Sequence, residues 1–212
     1  MHYYKRLGVA ADVTLHTPAD VEAVLWIPRV DTFTSTMLTF SRGIQEAEKL
    51  REFLKPETGV DLGDPEGLRR VGVDPEAGLV VFSRGGLAHV LFGVEDAETF
   101  TEALLAKFLN LGFPPIRSTA PNADGVVIFE VPAQKGTGIH AAFAAHDGLM
   151  VLVYRALGEN PAAGVKAVLN GVGGAGFFES EHYKTIVAEL GDEGPLVYVA
   201  GDAFARDEKG LP

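Results

Sequence analysis

Between Gly78 and Gly112 the chain spells out a β-hairpin followed by an amphipathic helix, an order that few folds can accommodate. Leu79 to Ser83 is an apolar strand, Arg84-Gly85-Gly86 a turn, and Leu87 to Val94 a second apolar strand. Glu95-Asp96 then caps a helix that carries Ala97, Phe100, Leu104, Phe108 and Leu111 on one face and stops at Gly112. Two apolar strands need cover, and the following helix brings an apolar stripe that can supply it, so an α+β packing is implied. A similar unit recurs from Ile139 to Gly171 around Asp147-Gly148.

The remaining segments fit this plan. Val21 to Ile27 reads as a largely buried strand ended by Pro28. A long helix is expected from about Thr32 to Lys55, capped by Asp31, with Phe33, Met37, Phe40, Ile44, Ala47, Leu50 and Leu54 as its apolar stripe. Asp64-Pro65 opens a short helix that Gly72 closes. Val126 to Val131 is another strand, and helices from Pro161 and from Glu181 to Leu190 precede a final strand, Leu196 to Ala200. From Val21 to Val131 the order is strand, helix, strand, strand, helix, strand: the ferredoxin-like βαββαβ order. The expected fold is therefore one α+β domain over residues 1–212, with an antiparallel or mixed sheet, helices packed on it, and the hairpin-plus-helix unit repeated. Two sub-units, 18–125 and 126–202, are the alternative division.

Charge and composition narrow the function classes. With 18 basic and 29 acidic residues the net charge is −11, which repels phosphate backbones and anionic lipid surfaces. The densest basic spot is Arg69-Arg70, so nucleic acid is set aside as a partner. The sequence contains no cysteine, which removes disulfides, thiolate metal sites and cysteine nucleophiles. No apolar run approaches the roughly 18 residues needed to cross a bilayer. The residues Met1 to Arg6 lack the apolar core of a secretory signal.

Candidate chemistry is sparse. Gly171-Val172-Gly173-Gly174-Ala175-Gly176 follows a helix rather than a strand, and no lysine follows in P-loop register, so helix capping plus a connector is the better account. Phe177-Phe178 comes directly after it. These two rings are the candidate interaction residues, as aromatic anchors for a partner; docking into the domain's own core, with Ser180 capping the next helix, competes with that role. His140 and His146 share a strand face but stand roughly 20 Å apart, too far to share one metal ion. His89 alternates with Leu87 and Leu91 as a sheet histidine, and His182 has no second histidine at ligand spacing. Gly-x-Ser-x-Gly and His-Glu-x-x-His are both missing, Ser41 and Ser83 have no sequence-local base, and the pairs Glu179/Glu181 and Asp192/Glu193 sit at helix ends. No residue is singled out as catalytic, cofactor-binding or metal-ligating.

Thr17-Pro18-Ala19-Asp20 with Val24-Leu25-Trp26-Ile27, then Gly72-Val73-Asp74-Pro75, then Val94-Glu95-Asp96-Ala97-Glu98-Thr99-Phe100 carry a resemblance. The chain resembles uncharacterised bacterial cell-envelope proteins, secreted or lipid-anchored, over most of Pro18 to Asp202. The shared motifs are turns and caps. That resemblance implies a repeated α+β module, a signal or lipid anchor, and no known catalytic residues. It leads to a non-catalytic binding or assembly module of the envelope, acting on a protein partner or by self-association. The expected location is the periplasm or envelope if a signal precedes this chain, and the cytoplasm otherwise. One alternative is a carrier of a small apolar ligand or lipid, lined by Phe33, Phe40, Phe100, Phe108 and Phe143. A second is a hydrolase built from dispersed His and carboxylate groups.

Overall fold

The computed structural model describes residues 12–32, 65–110, 116–119, 125–132, 140–155, 160–171, 176–190 and 196–200. A 3-10 turn at Val13–His16 leads to β1 (Ala23–Ile27). Then come α1 (Pro65–Arg70), the hairpin β2 (Leu79–Arg84) and β3 (Leu87–Gly93), and α2 (Ala97–Asn110). The short strands β4 (Arg117–Ser118) and β5 (Phe129–Val131) precede a second hairpin, β6 (His140–His146) and β7 (Leu149–Arg155). It is followed by α3 (Pro161–Leu169), a 3-10 turn at Phe177–Glu179, α4 (Glu181–Leu190) and β8 (Leu196–Val199).

Local chemistry explains these boundaries. Asp96 caps α2: its Oδ1 accepts from the amides of Glu98 (3.1 Å) and Thr99 (3.0 Å), and its Oδ2 from the Thr99 hydroxyl (2.8 Å). These bonds favour the ionised carboxylate and lower its pKa. Asn160 caps α3 through the Ala162 amide at 3.0 Å, with Pro161 at the first helical position. The β6–β7 turn puts Asp147 (φ 49°) and Gly148 (φ 79°) in the left-handed region, as a two-residue hairpin with Asp-Gly requires.

All the described strands form one antiparallel sheet in the order β4-β5-β6-β7-β3-β2-β1-β8. Strands from 18–125 and from 126–202 interleave in it. The expected ferredoxin-like arrangement sets the first strand beside, and antiparallel to, the second strand of the hairpin. Instead β1 lies antiparallel to β2, with Leu25 opposite Val81, and the free edge of β3 is taken by β7. The second hairpin is as apolar as the first, and their central strands bury each other. The order of elements along the chain thus did not decide the order in the sheet.

Residue alternation divides the core into two faces. Face one holds Val24, Val80, Phe82, Leu91, Val151 and Val153 under α3, whose Ala162, Val165 and Val168 point into it. Face two holds Val94, Phe143, Met150 and Leu152 under α2, whose Phe100 meets Phe92 edge-on at 5.1 Å. The helices that follow the two hairpins therefore sit on opposite faces. The hairpin-plus-helix order occurs twice along the chain, but the two units are not packed alike. The α3 backbone approaches face one closely at Gly164, where a Cβ would lie 3.1 Å from Val153 Cγ1 and 3.2 Å from His89 Nε2. The expected helix 32–55 lies outside the described residues beyond its first residue.

Candidate interaction edge

The two ends of the sheet differ. β4 contributes two residues, a short edge of the kind that resists pairing with other chains. β8 contributes Leu-Val-Tyr-Val, with no charge, proline or bulge inside the strand. Its inner side pairs with β1, placing Val199 opposite Ala23 and Val197 opposite Leu25. The Ala200 amide donates to the Glu22 carbonyl at 2.8 Å. By alternation, the amides of Tyr198 and Leu196 also face β1, and the amides and carbonyls of Val197 and Val199 point away from the sheet. No described strand pairs with that outer side.

The side chains divide the same way. Leu196 and Tyr198 turn onto face one, and Val197 and Val199 onto face two, where they are 72% and 40% exposed. β8 is held in place by an aromatic cluster on face one. Phe177 lies 5.2 Å from Tyr198 and 5.8 Å from Tyr183, Phe178 lies 5.2 Å from Trp26 and 4.9 Å from Tyr183, and the His182 ring sits 4.8 Å from Tyr198. Backbone bonds fix the cluster. The Phe177 amide donates to the Thr17 carbonyl at 2.9 Å, and the Ser180 hydroxyl donates to the Phe177 carbonyl at 2.6 Å. The same Ser180 oxygen caps α4 by accepting from the Tyr183 amide at 3.1 Å.

Phe177 and Phe178, the candidate anchors, are thus placed by the structure as supports. Phe177 is 2% exposed in the face-one core, and Phe178 is half-buried against Trp26. The ring of Phe177 turns inward because burial against Tyr198 and Tyr183 removes it from water, leaving it nothing to offer a partner. The sequence did not single out β8 as a site: four consecutive apolar residues mark only a final strand, and the sheet order is what shows it as an edge among the described strands.

The other candidates are dispersed. Gly171 has φ +84° just past α3, as a helix-terminating glycine does, and 172–175 lie outside the described residues. His140 pairs with Arg155 across β6–β7, while His146 lies 3.4 Å from the Asp147 carboxylate at the far end of the strand. His89 is buried and stacked on Phe82 at 4.4 Å, its Nδ1 without a hydrogen-bond partner. Burial, helped by the Arg84 charge, pushes its pKa down to about 4, against the opposing pull of hydrogen bonds to the backbone of Leu87 and Phe82. His16 packs against the Val168 backbone at the end of α3, and burial lowers its pKa as well. Among the described residues no three His, Asp or Glu side chains converge as a metal-ligand group. Glu179 accepts from the Gly176 amide at 3.3 Å, and Glu181 pairs with Lys184 at 2.5 Å; Ser41, Asp192 and Glu193 lie outside the described residues. Of the phenylalanines assigned to a carrier pocket, Phe108 and Phe143 are 5.9 Å apart, Phe100 packs against the same core, and Phe33 and Phe40 lie outside the described residues. No described helix is long and apolar enough to cross a membrane.

No protein-family model, no curated protein and no solved structure matches this chain.

Proposed function

We propose that this chain is a non-catalytic binding or assembly module that takes up a protein partner by strand addition along β8. One observation carries the reading: β8 is a rigidly backed edge strand whose outward backbone groups meet no described strand and whose outward valines are exposed. Edge strands left in that state are templates for another chain. The sequence resemblance adds the setting, the bacterial cell envelope, and the idea of a module used repeatedly there.

The test is affinity capture from an envelope fraction with the wild type and a Val199→Pro variant. Proline at this position removes an amide that points away from β1, so β1–β8 pairing is retained and outward pairing is blocked. A partner retained by the wild type and lost by the variant, at equal thermal stability, is the expected result. Identical partners on both proteins would refute strand addition. Native mass spectrometry separates the carrier alternative, in which a small molecule would leave on denaturation.

A further inference from the structure

Two buried side-chain nitrogens among the described residues have no hydrogen-bond partner, His16 Nδ1 and His89 Nδ1, and both rings lie against α3. We propose that α3 is a clamp that acid opens: proton uptake by these two histidines detaches the helix from face one while the sheet beneath it stays paired. The clamp is independent of the strand-addition reading above.

The packing around His89 disfavours a charge there. The residue is 4% exposed, and its ring is stacked on Phe82 at 4.4 Å. The α3 backbone closes over its Nε2 edge at Gly164, where an added Cβ would stand 3.2 Å from Nε2, 3.2 Å from Leu87 Cδ1 and 3.1 Å from Val153 Cγ1. The charged groups of the surrounding elements do not compensate a proton. β2 brings Arg84, which is paired with Asp20 at 2.9 Å. β7 brings Arg155 on the same face and Tyr154 on the opposite one, and α3 brings Lys166, which is exposed. The 3-10 turn before β1 brings His16 itself.

His16 meets the same helix about one turn further along, hydrogen-bonded to the Val168 backbone. Its nearest carboxylates are engaged: Asp12 accepts from the Thr14 amide and hydroxyl, and Glu179 of the adjacent 3-10 turn accepts from the Gly176 amide. Burial lowers the pKa of both rings, that of His89 to about 4, so both stay neutral at pH 7 while the helix is seated.

The helix gives way before the sheet does. α3 is nine residues long and holds face one through the small side chains of Ala162, Val165 and Val168. β3 is bonded on both sides, to β2 and to β7, by ladders that run its whole length. Lifting α3 brings water to both rings at once and restores their ordinary titration. A helix this short does not hold itself in water once detached, so its amides then exchange.

Amide hydrogen exchange of the full chain at about pH 7.5 and about pH 5, corrected for the intrinsic pH dependence of exchange, tests the clamp. Opening of α3 in the wild type is expected to rise about thirtyfold between these pH values, from the gap between 6.5 for a solvated histidine and about 4 for the seated one. At the lower pH the amides of 162–169 should be protected about tenfold less than those of β3 and β7, or lower still. His89→Leu is neutral at every pH and should lose the rise, apart from the smaller part owed to His16. His89→Gln gives the same comparison if the leucine variant does not fold. Equal protection of helix and sheet at the lower pH would mean one global opening and would overturn the clamp. An α3 that opens equally at both pH values would overturn it too, as would a rise in both variants as large as in the wild type.

Discussion

His89 makes the stability of this protein depend on pH in a way that one substitution should abolish. The imidazole lies buried between β3 and α3, stacked on Phe82, with Gly164 against Nε2 and with Nδ1 lacking a hydrogen-bond partner. A proton added there would be a desolvated charge facing the like charge of Arg84, which is why the pKa falls from 6.5 to about 4. The unfolded chain binds this proton first as pH drops, so the contribution is absent above pH 6.5 and grows as a destabilisation from about 6.5 down to about 4. At about 1.4 kcal/mol per pH unit between those two titrations, the loss is about 3 kcal/mol at pH 4. His89→Leu stays neutral at every pH and removes the orphaned nitrogen. Urea unfolding followed by the fluorescence of the single tryptophan, Trp26, gives the stability of both proteins at pH 7.5, 6, 5 and 4. His16 and the carboxylates titrate in both, so the wild-type-minus-variant difference isolates His89. That difference should swing by about 3 kcal/mol against the wild type between pH 7.5 and pH 4. A pH-independent difference would refute a neutral, buried His89.

Other perturbations follow from the same packing. Phe177→Ala should cost about 3–5 kcal/mol in urea unfolding, because the ring is fully buried, whereas half-buried Phe178→Ala should cost clearly less. Equal costs would contradict the placement of the two rings. Gly72→Ala forces a non-glycine residue to φ +83° and drives its Cβ into the Asp96 carbonyl; a loss of about 1–3 kcal/mol or more is expected by thermal unfolding. Gly164→Val should lift α3 from face one, costing about 1–3 kcal/mol and raising amide exchange along Pro161–Leu169. An unchanged exchange pattern would show that the helix does not depend on that close approach.

The sequence by itself determined the local pieces. Both hairpins, the cap of α2 at Asp96, the Pro161 start of α3 and the Asp147-Gly148 turn could be read because each depends on side chains and backbone groups a few residues apart. Such interactions are decided before any long-range contact forms. Sheet order was a different matter. Antiparallel pairing of β1 with β2, contact of β3 with β7, and closure of β1 by β8 join strands whose apolar patterns suit several neighbours, so pattern alone pointed to a ferredoxin-like order that the sheet does not show. The interaction edge shares this origin. Leu196-Val197-Tyr198-Val199 gives no inside–outside alternation, and Phe177-Phe178 gives no direction for its rings. Only the tertiary structure placed β8 at the end of the sheet and turned Phe177 into the core, because burial is decided by what remains to be covered once the other strands have paired.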